Sequence, residues 1–132
     1  MRVPAEPKTR YVTARAMQRL TDRLHLPSDD RMQDWPLEVA DPARLEEFVR
    51  HYAERDLEGD DRFALMKLIV ASFDDADDAS KEEAWPAIRD ILRVDADLHA
   101  YTIYYWSCWD AEEVDDPDQQ FRASPYLREI SI

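Results

Sequence analysis

Gly59 is the only glycine in 132 residues. β-Hairpins and meanders need positive-φ turn positions every few residues, and glycine fills them at no steric cost. A chain with one such residue cannot turn many strands. Alanine, leucine, arginine, glutamate and aspartate dominate instead, and these make helices and helix caps. The expected fold class is all-α. At this length the expectation is a single helical domain over residues 1–132, with five to seven helices. Its architecture is a HEAT-like helical stack or an irregular helical bundle. Such a chain buries roughly two thirds of its unfolded surface, enough for a core without staples.

Punctuation along the chain places the elements. Residues 1–12, with Pro4 and Pro7, read as an extended N-terminal arm. A first helix runs over about 13–25, with Ala14, Met17, Leu20 and Leu24 as its inner face. Residues 29–40 stay ambiguous, because Pro36 forbids a continuous helix there. Asp41 then reads as an N-cap with Pro42 at the first helical position. Leu45, Phe48, Val49 and Tyr52 form that helix's inner stripe, and Gly59 lies just past its end. A helix over about 61–73 carries Phe63, Met66, Ile69, Val70 and Phe73 and is apolar around most of its circumference, as a central helix must be. The next begins at Ser80, with Glu83 completing a capping box, and buries Trp85, Ile88, Ile91 and Leu92. Pro86 kinks or restarts it. A helix over 96–110 follows, and after an acidic loop Ser124 caps a short helix begun by Pro125.

The formal charge of −13 is unevenly placed. Residues 1–53 hold nine acids and nine bases, whereas 54–132 hold 21 acids and eight bases. Residues 1–23 alone are net +4. Such a field repels nucleic acid and anionic lipid and attracts cationic partners. Arg15, Arg19 and Arg23 form a basic stripe on the first helix, expected to dock on the acidic body or lie solvated. The lone cysteine, Cys108, excludes an intramolecular disulfide and suits a reducing compartment. The stretch MRVPAEPKTRYV has no apolar signal region. The longest apolar run, FALMKLIVASF, contains a lysine and falls short of the roughly 20 residues of a membrane span. A cytoplasmic protein is expected, with no membrane and no nucleic-acid partner.

Catalytic and metal-binding signals are weak. His25, His51 and His99 fall on separate elements and lack the Glu-x-x-His spacing of a dimetal bundle. Asp74, Asp75, Asp77, Asp78, Glu82 and Glu83 offer no frame with calcium-loop spacing, and read as a solvated interhelical loop. Cys108, in WSCW, sits among aromatics that favour an inert core thiol. One glycine cannot make a phosphate-cradling loop. No cofactor, no metal and no catalytic residue is expected.

One stretch asks for a different explanation. YTIYYWSCWDAEEVDDPDQQ, residues 101–120, sets the densest aromatics beside a run of acids with no base in positions 110–118. Acids at a helix C-terminus oppose its dipole, and like charges so dense repel. Tyr101, Tyr104, Tyr105, Trp106 and Trp109 cover most of a helix circumference, so they cannot all face inward. The core is expected to take Tyr101, Tyr105 and Trp109, with the tail around Phe121 and Tyr126 wrapped over the helix. Tyr104 and Trp106, with Asp110, Glu112, Glu113, Asp115, Asp116 and Asp118, are then the candidate partner-binding surface.

Together, DRFALMKLIVASFDDA, WPAIRDIL, YTIYYWSCWDAEE and SPYLREI resemble the small acidic helical immunity proteins of bacterial polymorphic-toxin systems, over about residues 60–132. The resemblance lies in texture: an apolar helix, a Trp-led helix, an aromatic helix ending in acids and a SPYLR terminus. It implies a protein that binds and neutralises one cognate toxin, commonly a nuclease or other cytosolic effector. With the acidic field, the expected function is a non-enzymatic inhibitor of a basic toxin. The residues leave two other functions open: a helical adaptor for a basic cellular partner, and an enzyme whose site carries no recognised motif.

Overall fold

Ten of the eleven residues from Phe63 to Phe73, all but Lys67, are buried along one helix. No surface helix can bury its whole circumference, so neighbours must surround this one. The computed structural model, which describes residues 6–27, 35–108 and 121–131, supplies those neighbours. The elements are α1 (Ala14–Leu24), α2 (Trp35–Glu38), a 3-10 turn (Pro42–Arg44), α3 (Leu45–His51), α4 (Gly59–Asp75), α5 (Asp78–Val94), α6 (Ala100–Ser107) and α7 (Ser124–Ser131). Helices α1, α2, α3 and α5 and the 3-10 turn pack on α4, while α7 packs on α5 and α6. A helical stack joins each unit to its sequence neighbours only. Here α1 and α2 reach past α3 to the same central helix, so the architecture is the irregular bundle. Among the described residues there is no strand, and no helix is long and apolar enough to cross a membrane.

Local chemistry explains the boundaries, several of which differ from expectation. Thr13 caps α1, its hydroxyl accepting from the Ala16 amide at 3.1 Å. The buried face is Ala16, Leu20 and Leu24, whereas Ala14 is exposed and Met17 half-buried. At the far end His25 is left-handed (φ 53°), and the Leu26 amide returns to the Thr21 carbonyl at 3.1 Å. Of the ambiguous region, residues 29–34 lie outside the described residues, and the helix that is described starts only at Trp35, one residue before Pro36. Pro36 sits second in α2, where its missing N–H is no loss, and Trp35 and Val39 enter the core.

Asp41 does cap, accepting from the Ala43 amide at 3.0 Å. The turn it starts is 3-10 before α3 proper, and Leu45, Phe48 and Tyr52 are buried while Val49 is half-buried. Gly59 does not terminate α3. It is the first residue of α4, after a reversal in which the Glu58 amide donates to buried Asp61 at 2.9 Å. Likewise Ser80 does not begin α5: Asp77 caps it, accepting from the Ser80 amide at 2.7 Å. The expected acidic loop shrinks to Ala76 and Asp77, since Asp74 and Asp75 end α4 and Asp78 onward belong to α5. Lys81 makes that tight corner possible. Buried at 1 % exposure, its ammonium donates to the Asp74 carbonyl at 2.9 Å and to the Ala76 carbonyl, satisfying groups that α4 leaves open. Pro86 neither stops nor restarts α5, and it lies on the exposed side beside exposed Glu82, whose carbonyl it cannot meet.

Candidate functional site

The aromatic helix is shorter than its sequence pattern suggests. α6 ends at Ser107 because Cys108 adopts a left-handed conformation (φ 57°), so the expected run to residue 110 is interrupted. Thr102, Ile103, Trp106 and Ser107 make the buried face of α6. This reverses the expected division. Trp106, expected on the partner-facing side, is core at 3 % exposure, whereas Tyr105, expected in the core, is 45 % exposed. Tyr101 and Tyr104 are half-buried. The expected core residue Trp109 and the acids Asp110, Glu112, Glu113, Asp115, Asp116 and Asp118 lie outside the described residues.

The cause is the C-terminal segment. Phe121 lies 4.4 Å from the Trp106 ring and 5.5 Å from Tyr105, closing the indole from water. Ser124 locks this in place: its hydroxyl donates to the Trp106 carbonyl at 2.7 Å and accepts from the Phe121 amide at 3.0 Å. It is a bridge between helices rather than the expected cap of its own helix. Arg128 adds a bond from Nε to the Ser107 carbonyl at 2.7 Å. The open carbonyls at the end of α6 therefore receive donors from α7. Tyr126 does not wrap α6 as expected. It packs edge-on against Phe73 and Trp85, at 5.1 and 5.4 Å, on the α4–α5 side.

What remains outward on α6 is a tyrosine face. Tyr101 and Tyr105 stack at 6.4 Å, and the half-buried Lys67 ammonium lies 5.8 Å from the Tyr101 ring and 5.4 Å from Phe63. Burial lowers the Lys67 pKa. Cys108 is half-buried at the helix end rather than enclosed in the core.

Beneath the start of α6 lies a polar network that sequence reasoning missed. Tyr52 donates its hydroxyl proton to Asp95 Oδ2 at 2.5 Å, so its oxygen is free to accept from His99 Nε2 at 2.8 Å. That assigns the His99 proton to Nε2 and leaves Nδ1 a bare acceptor, buried and unpartnered among the described residues. His99 is fully buried and stacks on Phe63 at 6.5 Å. Burial pulls its pKa down to about 4, partly offset by Asp95. The Tyr52 hydroxyl is pushed well above its ordinary range by burial, then by Asp95. The pattern D-x-x-x-H, Asp95 to His99, was visible as one helical turn, but its tyrosine partner is 47 positions from His99 and only the fold supplies it. A neutral histidine held by a protonated tyrosine fastens α3, α5 and α6 together. His25 is exposed at the end of α1 and His51 half-buried at the end of α3. Among the described residues, no group of three or more histidine, cysteine or acidic side chains is placed to hold a metal.

The basic stripe docks on the acidic body. Arg19 reaches Asp61 at 3.4 Å, Arg23 clasps Asp56 with one bond of 2.8 Å, and Arg10 of the arm meets Asp60 at 2.7 Å. Arg15 is exposed. Arg23 in turn holds the Asp56 carboxyl down at about 2.

Comparison with known proteins gives no match: no family model, no curated protein and no solved structure matches this chain.

Proposed function

We propose that this chain is a non-enzymatic, stoichiometric binding protein that neutralises a basic cognate toxin in the cytoplasm through an acidic, aromatic-edged surface. One electrostatic observation supports the reading. Three of the N-terminal cations, Arg10, Arg19 and Arg23, are turned onto Asp60, Asp61 and Asp56. The basic end of the sequence is thereby largely neutralised within the molecule. Exposed Glu46, Asp75, Glu82 and Glu83 carry no ion pair among the described residues, and they add to the acids of 110–118. A surface of that sign accelerates encounter with a cationic partner and suppresses anionic ones. Tyr105, exposed and five positions before the acidic run in sequence, is the kind of rigid aromatic that anchors such an encounter. For a nuclease partner, carboxylates at 110–118 would occupy the place of substrate phosphates.

The test is capture from the source organism's lysate at low and moderate salt, followed by titration of the captured protein's own activity. Inhibition that saturates at a fixed stoichiometry, with association slowed by charge reversal at Glu112, Glu113, Asp115 and Asp116, is the expected result. Tight binding that leaves the partner's activity intact would replace the inhibitor with a helical adaptor.

A further inference from the structure

Helices α3 and α5 face each other across a trough that no described residue fills. Leu45, Glu46 and Val49 recur at helical spacing on one wall, and Glu83, Ala84 and Ala87 do so on the other. The α5 wall carries the small side chains Ser80, Ala84 and Ala87 beside Glu83, and a groove of about 500 Å³ remains between the helices. Its floor is apolar, with Leu45 buried and Val49 and Ala84 half-buried. Its rims are charged. Glu46 and Glu83 stand exposed on opposite sides, neither with an ion pair among the described residues. The small side chains admit a closely packed segment, and the two rims specify the sign of its flanks.

We propose that this trough docks a basic amphipathic segment of a partner protein, its apolar ridge over Leu45, Val49 and Ala84 and its cations against Glu46 and Glu83. Charge complementarity chooses this occupant. A second copy of the chain would set the same carboxylate rims against each other. An anionic or purely apolar segment would leave both carboxylates facing like charge or stripped of water. The inference rests on the binding reading above only for the sign of the partner's charge, and it holds whether or not that partner is a toxin.

The experiment uses the full chain and two synthetic peptides of about five helical turns. Both contain the same lysines, leucines and alanines, but only one carries an apolar stripe flanked by lysine. Backbone amide NMR shifts locate the peptide and titration gives its affinity. The striped peptide is expected to shift residues 42–49 and 80–87, and to bind at least about tenfold tighter than the scrambled one. Ala87→Trp, which fills the trough from an exposed position, and the double reversal Glu46→Lys with Glu83→Lys should each weaken the striped peptide about tenfold. A thermal melt of each variant checks that it folds. Equal binding of the two peptides, or shifts centred elsewhere, would overturn the docking site while leaving acid-driven toxin binding intact. Shifts produced by raising the concentration of the chain itself would give the trough to a second copy and overturn it as well. Conversely, loss of toxin inhibition on mutating 112–116 alone, with the trough still occupied, would separate the two readings.

Discussion

Glycine is scarce in this chain and is absent from the places that most want it. Gly59 lies in the first turn of α4 without a positive φ, and a Cβ there would meet no atom within 4 Å. Gly59→Ala should therefore raise stability by about 0.5 kcal/mol, mainly by removing freedom from the unfolded chain. The left-handed helix ends belong instead to His25 and Cys108, where a Cβ crowds its own carbonyl. His25→Gly gives up only an exposed side chain and should gain about 1 kcal/mol. Urea unfolding of both variants checks the pair, and a loss in either would contradict these backbone assignments. His99 sets an acid limit. Its folded pKa of about 4 lies below the ordinary histidine value near 6.5, so between those pH values the unfolded chain takes up a proton that the folded chain refuses. Stability is then full above about pH 6.5 and falls as pH drops towards 4, by on the order of 3 kcal/mol from this buried group. Arg10 opposes the imidazolium and Asp95 favours it, while Nδ1–H would find no acceptor among the described residues. Unfolding free energies measured across this window should lose their His99 component in His99→Gln, even though that variant is less stable throughout.

At the scale of elements, the helix ends carry the organisation. Two corners use a side chain from the following helix to satisfy the preceding one: Lys81 for α4, and Ser124 with Arg128 for α6. Lys81→Met keeps the buried stem beside Phe73 but leaves the Asp74 and Ala76 carbonyls without their donor. The cost should be about 1–3 kcal/mol, because an unpaired buried acceptor loses its water without recompense. Chemical denaturation reads the loss directly. Amide exchange should quicken first at residues 74–81, and an undiminished midpoint would show that water replaces the ammonium.

For the whole molecule, charge is the dominant quantity. A net −13 on 132 residues makes the folded state repel itself, even with Arg10, Arg19 and Arg23 paired to acids. Added salt screens exposed charges beyond a Debye length of about 8 Å at physiological ionic strength. The thermal midpoint should therefore rise as sodium chloride is increased from a few millimolar to physiological levels. A falling midpoint would mean that the exposed ion pairs outweigh the general repulsion.

The sequence by itself determined the helical class, the central place of the apolar segment around Phe63–Phe73, the cap at Asp41, and the sign of the field. These depend on composition and on periodicity within one element, which neighbours in sequence are enough to express. For the basic stripe the sequence left docking on the acidic body or solvation open, and the fold divides it: Arg19 and Arg23 dock, and Arg15 is exposed. Only the tertiary structure decided which side of α6 is core. Trp106 and Tyr105 are adjacent and both amphipathic to periodicity, and Phe121 with Ser124, arriving from far along the chain, buries one and leaves the other in water. The same holds for the Tyr52–His99–Asp95 network and for the trough between α3 and α5. Each needs groups brought together across tens of residues, and a hydrophobic period records that a face is buried but not which partner buries it.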